Sequence, residues 1–370
     1  MRAPARPSLA FFLPSLAGGG AERAMVNLAA GFSQRGVQTD FVLANATGPY
    51  LGLLPPAVRV VDLKASSVLR SLAPLVAYLR RERPKTLLSA LDHASLAAMT
   101  ASRMSFPKTR TVISVQSTFE KGIRPLSDIR TSAVPWLLGR LHRWADAIVA
   151  VSAGVAEDIA TTAGIPRGRV DVIYNPVITP GLLRAASERP AHPWFEDDRR
   201  GIVLGVGRLA PQKNFPLLIE AFARVTREHD ARLVILGEGP ERSNLEALVR
   251  RHGLEDRVAL PGFVTNPFAC MARASVFTLS SDFEGLPTVL IESLAVGTPV
   301  VATDCPSGPR EILRGGTLGR LVPVADVEAL AQAIQCTLVS PLPAPSAETL
   351  HPYTLDSVVD QFQKACCLDA

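Results

Sequence analysis

The segment 274–302 limits what this chain can fold into more than any other. An apolar run from Ala274 to Leu279 gives way to Asp282, Phe283, Glu284 and Gly285, and then to a helix entered near Pro287. Proline suits a first helical turn, where its missing N–H would have no intrahelical acceptor. Val289, Leu290, Leu294 and Ala295 make an apolar stripe at helical spacing, which predicts a helix packed on a sheet. The helix stops near Gly297, and Pro299–Ala302 reads as a buried strand. Strand, turn, helix, strand, with polar residues gathered where strands end, is the grammar of an open α/β sheet. Such sheets bind ligands at that edge.

The same grammar recurs along the chain. Strands are expected at 8–13, 39–44, 58–63, 86–91, 111–115, 146–151, 170–174, 202–206, 232–236 and 258–260, with amphipathic helices between many of them. A length of 370 residues fits two domains. We expect an N-terminal α/β domain over 1–176 and a proline- and charge-rich linker over 177–200, carrying Pro180, Pro190 and Pro193. A second α/β domain is expected over 201–345, and a terminal segment over 346–370 with a helix at 353–366. With 47% hydrophobic and 20% charged residues there is ample apolar surface to bury. No run reaches the ~18 apolar residues of a membrane span. The basic start and the short apolar run that follows read as a first strand rather than a signal peptide.

The five cysteines, Cys270, Cys305, Cys336, Cys366 and Cys367, show no metal-ligand spacing, and the six histidines are scattered. No metal is expected, nor a disulfide framework, and a cytoplasmic setting follows. Charge is uneven. Residues 1–175 hold 21 Lys and Arg against 11 Asp and Glu, a net of +10, while the remainder holds 18 against 23, a net of −5. An anionic partner is thus expected for the first half. Nucleic acid is set aside, because no aromatic-rich basic strand or DNA-binding motif accompanies the charge. An anionic membrane face or a diphosphate-linked lipid fits better. Segment 134–144, VPWLLGRLHRW, alternates Trp136, Leu137, Leu141 and Trp144 with Arg140, His142 and Arg143. That pattern fits a membrane-surface helix, and equally a core helix with a solvated edge.

Three stretches carry candidate chemistry. Leu16–Arg23 is a glycine-rich loop, with Gly18, Gly19 and Gly20, that opens a helix. Glycines let backbone approach a ligand closely, and helix N-termini favour anions; a tight strand-to-helix turn is the plainer reading. Gly207 begins a loop that holds Arg208 and Lys213 five residues apart. A planar guanidinium and a mobile ammonium together suit a diphosphate. A dinucleotide-binding oxidoreductase would want a third glycine here and a downstream acid. Glu284 and Glu292 lie eight positions apart. Eight helical steps would rise about 12 Å, beyond the roughly 5–9.5 Å of a glycosidase pair. One carboxylate at each end of an elongated polyhydroxylated ligand is the better use.

The wording of these stretches resembles the retaining glycosyltransferases of family 4, built on the two-domain GT-B fold. The resemblance rests on Glu284-Gly285-Leu286-Pro287, on Glu292, on Gly297–Ala302 and on Gly308-Pro309-Arg310-Glu311. It extends to Gly207–Phe215 and, less closely, to Gly18–Arg23 and Leu88–His93. It implies two Rossmann-like domains with parallel sheets facing a central cleft. It further implies that Arg208 and Lys213 hold the donor diphosphate, that Glu284 binds the donor sugar, and that Glu292 binds the ribose. Gly207, Gly285 and Leu286 would line the donor site, and Phe263 and Val264 would meet the base. Gly18–Gly20 would lie near diphosphate and acceptor, and His93 would touch the sugar. Relatives carry a Glu-His-Asn-like triplet where this chain has Gln116-Ser117-Thr118.

The resemblance implies a nucleotide-sugar donor, with a UDP-sugar expected, and no metal cofactor. The implied acceptor is a glycan or a polyprenyl-diphosphate-linked sugar for cell-surface polysaccharide, met at the inner face of the cytoplasmic membrane. A nucleotide-sugar 2-epimerase on a similar fold and a non-catalytic sugar-nucleotide-binding scaffold remain alternatives.

Overall fold

Two parallel sheets account for the paired strands among the described residues. The computed structural model describes residues 7–118, 141–190, 192–196 and 200–368. The loop expected at 119–128 and most of the helix expected at 134–144 lie outside them.

Unit 1 comprises Met1–Val177 and Pro352–Ala370. Its elements run β1 (Leu9–Leu13), α1 (Gly20–Gln34), β2 (Thr39–Leu43), β3 (Arg59–Asp62), α2 (Leu72–Glu82), β4 (Thr86–Ala90), α3 (Asp92–Met104), β5 (Arg110–Val115), β6 (Ala147–Ala150), α4 (Ala153–Ala163) and β7 (Val170–Val172). The sheet order is β3-β2-β1-β4-β5-β6-β7. All five residues of β1 are buried, as expected of a central parallel strand covered on both faces. The pleat sends neighbours to opposite sides. Phe11 joins the core beneath α1 with Phe32 and Phe41, and Phe12 joins the core beneath α2 and α3 with Leu75, Leu79 and Ala98. The apolar strand expected at 58–63 is instead the edge strand β3, with Arg59, Val60 and Asp62 exposed. An edge strand has water on its open side and tolerates charge. Ser152 caps α4, its Oγ accepting from Val155 N at 3.2 Å.

Unit 2 comprises Ile178–His351. It holds α5 (Pro180–Ala186), β8 (Gly201–Val206), α6 (Phe215–Val225), β9 (Ala231–Leu236), α7 (Arg242–Arg251), β10 (Val258–Gly262), α8 (Phe268–Met271), β11 (Val276–Leu279), α9 (Thr288–Ala295), β12 (Val300–Thr303), α10 (Pro309–Ile312), β13 (Arg320–Val322), α11 (Val327–Val339) and α12 (Ala347–Leu350). The sheet order is β10-β9-β8-β11-β12-β13. The 177–200 stretch differs from the expected linker. It contains α5, capped by Thr179 and beginning at Pro180, with Leu182 buried. Asn266 Nδ2 donates to Ala185 O at 2.9 Å, tying α5 to the segment before α8. Two of its three prolines start helical turns rather than break structure: Pro180 begins α5, and Pro193 opens a short 3₁₀ turn that buries Phe195.

The chain then returns to unit 1 through α13 (Leu355–Ala365). Leu355, Val358, Val359 and Phe362 complete the core beneath α1. A Cβ built on Gly31 of α1 would stand 2.5 Å from Val359 Cγ2, so the two helices meet where α1 has no side chain. Thr86 Oγ1 donates to Cys366 O at 2.7 Å.

Both sheets share one connectivity. The second and third strands lie on one side of the first, and the fourth lies on the other. The order therefore reverses between β1 and β4 in unit 1, and between β8 and β11 in unit 2. The loops leaving these strands diverge there and open a crevice at their C-terminal ends.

Candidate functional site

In unit 2 the loops after β8 and β11 carry most of the expected site. Lys213 Nζ donates to Glu284 Oε1 at 2.6 Å across 71 positions of sequence. The side chains are 19% and 8% exposed, so the pair is screened from bulk water. Ser281 Oγ donates to the same Oε1 at 2.6 Å. A network fixes the two loops to each other. Asp282 N donates to Gln212 O at 2.9 Å, and Gln212 Nε2 to Phe283 O at 2.8 Å. Asn214 Nδ2 donates to Asp282 Oδ1 at 2.8 Å, and Ser280 Oγ to Lys213 O at 2.8 Å. Asn214 sits at φ +43, a left-handed conformation that asparagine tolerates, and its side chain caps α6. From the third side, Glu284 N donates to Pro306 O and Ser307 N to Glu284 O, both at 2.8 Å. The Glu284 backbone is thus held on both sides while its carboxylate faces Lys213.

Cys305 lies in this same lining. Burial and the Glu284 carboxylate push its thiol up to about 12, so it stays protonated and unreactive at neutral pH. Arg208 behaves differently from Lys213. It is exposed, and among the described residues its side chain has no hydrogen-bond or ion-pair partner. Gly285 and Leu286 are buried beneath the Glu284 turn. Pro287 stands just before α9 as its N-cap rather than inside the first turn, with ψ +89. Glu292 is part-buried in the second turn of α9. Phe263 and Val264 follow β10, and Phe263 is 57% exposed, a large ring standing in solvent.

In unit 1 the loop after β1 carries Gly18, and Gly19 is the N-cap of α1, which begins at Gly20. The Glu22 carboxylate folds back over Gly19, so α1's N-terminus already has an anion on it. An incoming diphosphate would have to displace Glu22. His93, exposed, is the second residue of α3, directly after β4. Leu91 before it takes φ +72, a strained conformation for leucine, at the very point where the strand order reverses. Beside it, burial raises the Asp92 carboxyl above its usual range, opposed by His142 and His93.

Sequence reasoning missed a device that appears in both units. Gly48, at φ +118 after β2, lies so close that a Cβ would overlap Leu16 O in the loop after β1. Gly237, at φ +140 after β9, stands in the same relation to Gly207 O in the loop after β8. Only glycine allows both the dihedral and the approach. In each unit the loop after the second strand thus braces the loop after the first. Leu16 N donates to Thr47 O at 2.9 Å, and Leu209 N to Glu238 O at 2.9 Å. The Gly237-Glu238-Gly239 spacing was the available signal. Ser281, Gln212 and Asn214 had none. Among the described residues no group of three or more His, Cys, Asp or Glu is placed to hold a metal ion.

Comparison with known proteins bears on the family and the fold. A model described as "Glycosyltransferase Family 4" matches residues 18–179, and one described as "Glycosyl transferases group 1" matches residues 188–350. The lipopolysaccharide core biosynthesis glycosyltransferase LpsE of Rhizobium meliloti is 30% identical over 359 residues, covering 95% of this chain and 94% of LpsE. The Campylobacter jejuni enzyme named N-acetylgalactosamine-N,N'-diacetylbacillosaminyl-diphospho-undecaprenol 4-alpha-N-acetylgalactosaminyltransferase is 36% identical over 236 residues. That match covers 64% of this chain and 62% of the relative's length. Among solved structures, Anabaena HepE in complex with UDP-glucose superposes with a TM-score of 0.79 at 19% identity, covering 97% of this chain and 99% of that one. With near-complete coverage by LpsE, matching models over both units and two sheets of the same Rossmann-like order, the chain belongs to the family 4 glycosyltransferases of the GT-B fold.

Proposed function

We propose that this chain is a retaining glycosyltransferase that moves a sugar from a UDP-sugar to a glycan or a polyprenyl-diphosphate-linked sugar during cell-surface polysaccharide synthesis. The observation that carries the reading is the pairing of Lys213 with Glu284 where the strand order of unit 2 reverses, beside an unpartnered Arg208. The bond from the anomeric carbon to the diphosphate oxygen breaks, and a bond from that carbon to the acceptor oxygen forms on the same face. The acceptor's proton leaves with the diphosphate. Arg208 and Lys213 stabilise the charge that grows on the departing phosphate. Lys213 has three N–H donors and can serve phosphate and Glu284 together. Glu284 orients the sugar hydroxyls near the anomeric carbon, and Glu292 holds the ribose.

Phe263 and Val264 meet the base, while Gly207, Gly285 and Leu286 supply close backbone. In unit 1, Gly18–Gly20 serve the diphosphate and the acceptor, and His93 touches the donor sugar. The two cations carry the role a divalent metal would otherwise fill, so activity should persist in EDTA. UDP-bound HepE and the undecaprenol-linked substrate named for the Campylobacter relative support the donor and acceptor classes. The +10 first half supports work at the inner face of the cytoplasmic membrane. No described helix is long and apolar enough to cross a membrane.

The test is calorimetric binding of UDP, GDP, ADP and NAD without metal. Arg208→Ala should weaken UDP by about 10- to 100-fold, the loss of one charged contact. Because the exposed Arg208 side chain makes no other hydrogen bond or ion pair among the described residues, thermal stability should not move. NAD binding that is indifferent to Arg208 would sink the reading.

A further inference from the structure

The first residue of α7 is a cation. Arg242 stands at the positive end of the helix macrodipole, where an arginine is disfavoured. Its guanidinium is nonetheless bonded on every side. Nε donates to Glu238 Oε2 at 2.9 Å, and Nη2 donates to the other oxygen of that carboxylate. Nη1 donates to Glu246 Oε1 and to Leu260 O, both at 3.1 Å. The Glu246 bond is the ordinary pairing of residues four apart on a helix. The other partners lie outside the helix, Glu238 in the loop after β9 and Leu260 on β10. Glu238 is half-exposed, and an ion pair so open to water adds little stability. What these bonds supply is geometry.

That geometry concerns the turn after β10, the edge strand of the second sheet. Ala259 pairs with Val234 and Gly262 with Leu236, so Leu260 and Pro261 together face Ile235. One extra residue makes a bulge, and bulges re-aim the side chains beside them. Gly262 takes φ +93, and its carbonyl accepts from Gly237 N at 2.8 Å. A Cβ built on Gly262 would stand 2.8 Å from Glu238 Oε1, so the carboxylate held by Arg242 lies directly against this turn. The next residue is Phe263, whose ring stands in solvent. Arg242 therefore holds the turn twice, directly through Leu260 O and indirectly through Glu238 against Gly262.

Resting on the base contact proposed above for Phe263 and Val264, we infer that Arg242 is a positioning residue of the donor site: its guanidinium, bonded to Glu238 and to Leu260 O, sets the 262–264 turn on which the nucleotide base is bound. The diphosphate and the ribose are held by other loops and do not depend on it.

The test compares two ligands by calorimetry on the full chain: UDP, and ribose 5-diphosphate, which lacks only the base. Stacking on an aromatic ring should make wild type bind UDP about tenfold more tightly than the base-free ligand. Arg242→Ala should lose most of that preference and bind ribose 5-diphosphate as wild type does. Glu238→Ala, which leaves the Leu260 bond in place, should lose part of it. Phe263→Ala should lose it fully, and adding Arg242→Ala to Phe263→Ala should change nothing further, because both act through one contact. If Arg242→Ala weakens both ligands by the same factor, the residue only supports unit 2 and the inference falls. It also falls if Arg242→Ala keeps the preference, or if its effect multiplies with that of Phe263→Ala. A wild type that binds both ligands equally, with Phe263→Ala silent, would remove the base contact itself and the inference with it. Failure of the Arg242 and Glu238 variants alone would leave that contact standing.

Discussion

Replacing Lys213 by alanine removes the cation from a carboxylate that is 8% exposed and leaves it one hydroxyl donor, Ser281 Oγ at 2.6 Å. Breaking a fully buried pair from one side costs ~3–5 kcal/mol, because the remaining charge is stranded. Lys213 is itself 19% exposed, so water can enter the vacated space, and ~2–3 kcal/mol is the better expectation. Glu284→Gln keeps the shape and the Ser281 bond. The ammonium it leaves behind sits on a flexible stem and can turn to solvent, for a cost of ~1 kcal/mol. The double variant strands no charge and should cost ~1–2 kcal/mol. The cycle then gives a coupling of ~2 kcal/mol, against additivity within about 0.5 kcal/mol for independent sites. Because the chain has two units, one global unfolding midpoint would blur the result. Hydrogen exchange of the β8 and β11 amides reads unit 2 directly, and 2 kcal/mol corresponds to about 30-fold in protection. Additive effects, or a Lys213→Ala protein as protected as wild type, would refute the argument that a buried ion pair joins these loops.

Two further perturbations separate other parts of the site. Gly237→Ala would set a Cβ against Gly207 O at a dihedral alanine avoids, so we expect a loss of ~2–4 kcal/mol in unit 2 and weaker UDP binding by calorimetry. Asp92 should make stability depend on pH. Its carboxyl is raised above the usual 3.8, so the folded chain holds that proton where the unfolded chain has lost it. Stability conferred by the protonated form is therefore lost as pH rises from about 4 through the raised value. Asp92→Asn should gain on wild type across that window in hydrogen-exchange protection of the β4 amides of unit 1, compared at each pH; a difference flat with pH would remove burial as the dominant cause.

The alternation of apolar runs and amphipathic helices made both parallel sheets legible, because a strand buried on two faces needs no polar residue along its length. The individual site stretches were legible too, since Gly207–Lys213 and Asp282–Leu286 place polar residues directly after apolar runs. Their meeting was not. Lys213 and Glu284 touch only because β11 lies beside β8, and strand order is a property of the whole sheet rather than of any window of sequence. The bracing glycines, Gly48 and Gly237, were visible as glycines but not as contacts, for the same reason. The stretch 177–200 misled because proline marks helix starts as well as linkers. Thr179 before Pro180 was a cap signal, of the kind that Ser152 provides for α4. Strand β3 looked apolar from Val58, Val60 and Val61, yet its exposure depends on having no neighbour beyond it.

The last helix changes how the molecule must come into being. Unit 1 lacks α13 until residues near 365 have been made, although its sheet is finished at Val172. At about 5–20 residues per second, synthesis holds α1 without its cover for roughly 10–40 s. Through that interval Phe32 and the Gly31 face lack the partners supplied by Val359 and Phe362. The contact spans more than three hundred positions, so forming it late and locally is slow compared with any helix pair nearer in sequence. A chain released at residue 350 should therefore yield a unit 1 that proteases cut along α1, while unit 2 resists. Synthesis of α13, rather than of either sheet, is the event that closes the first core.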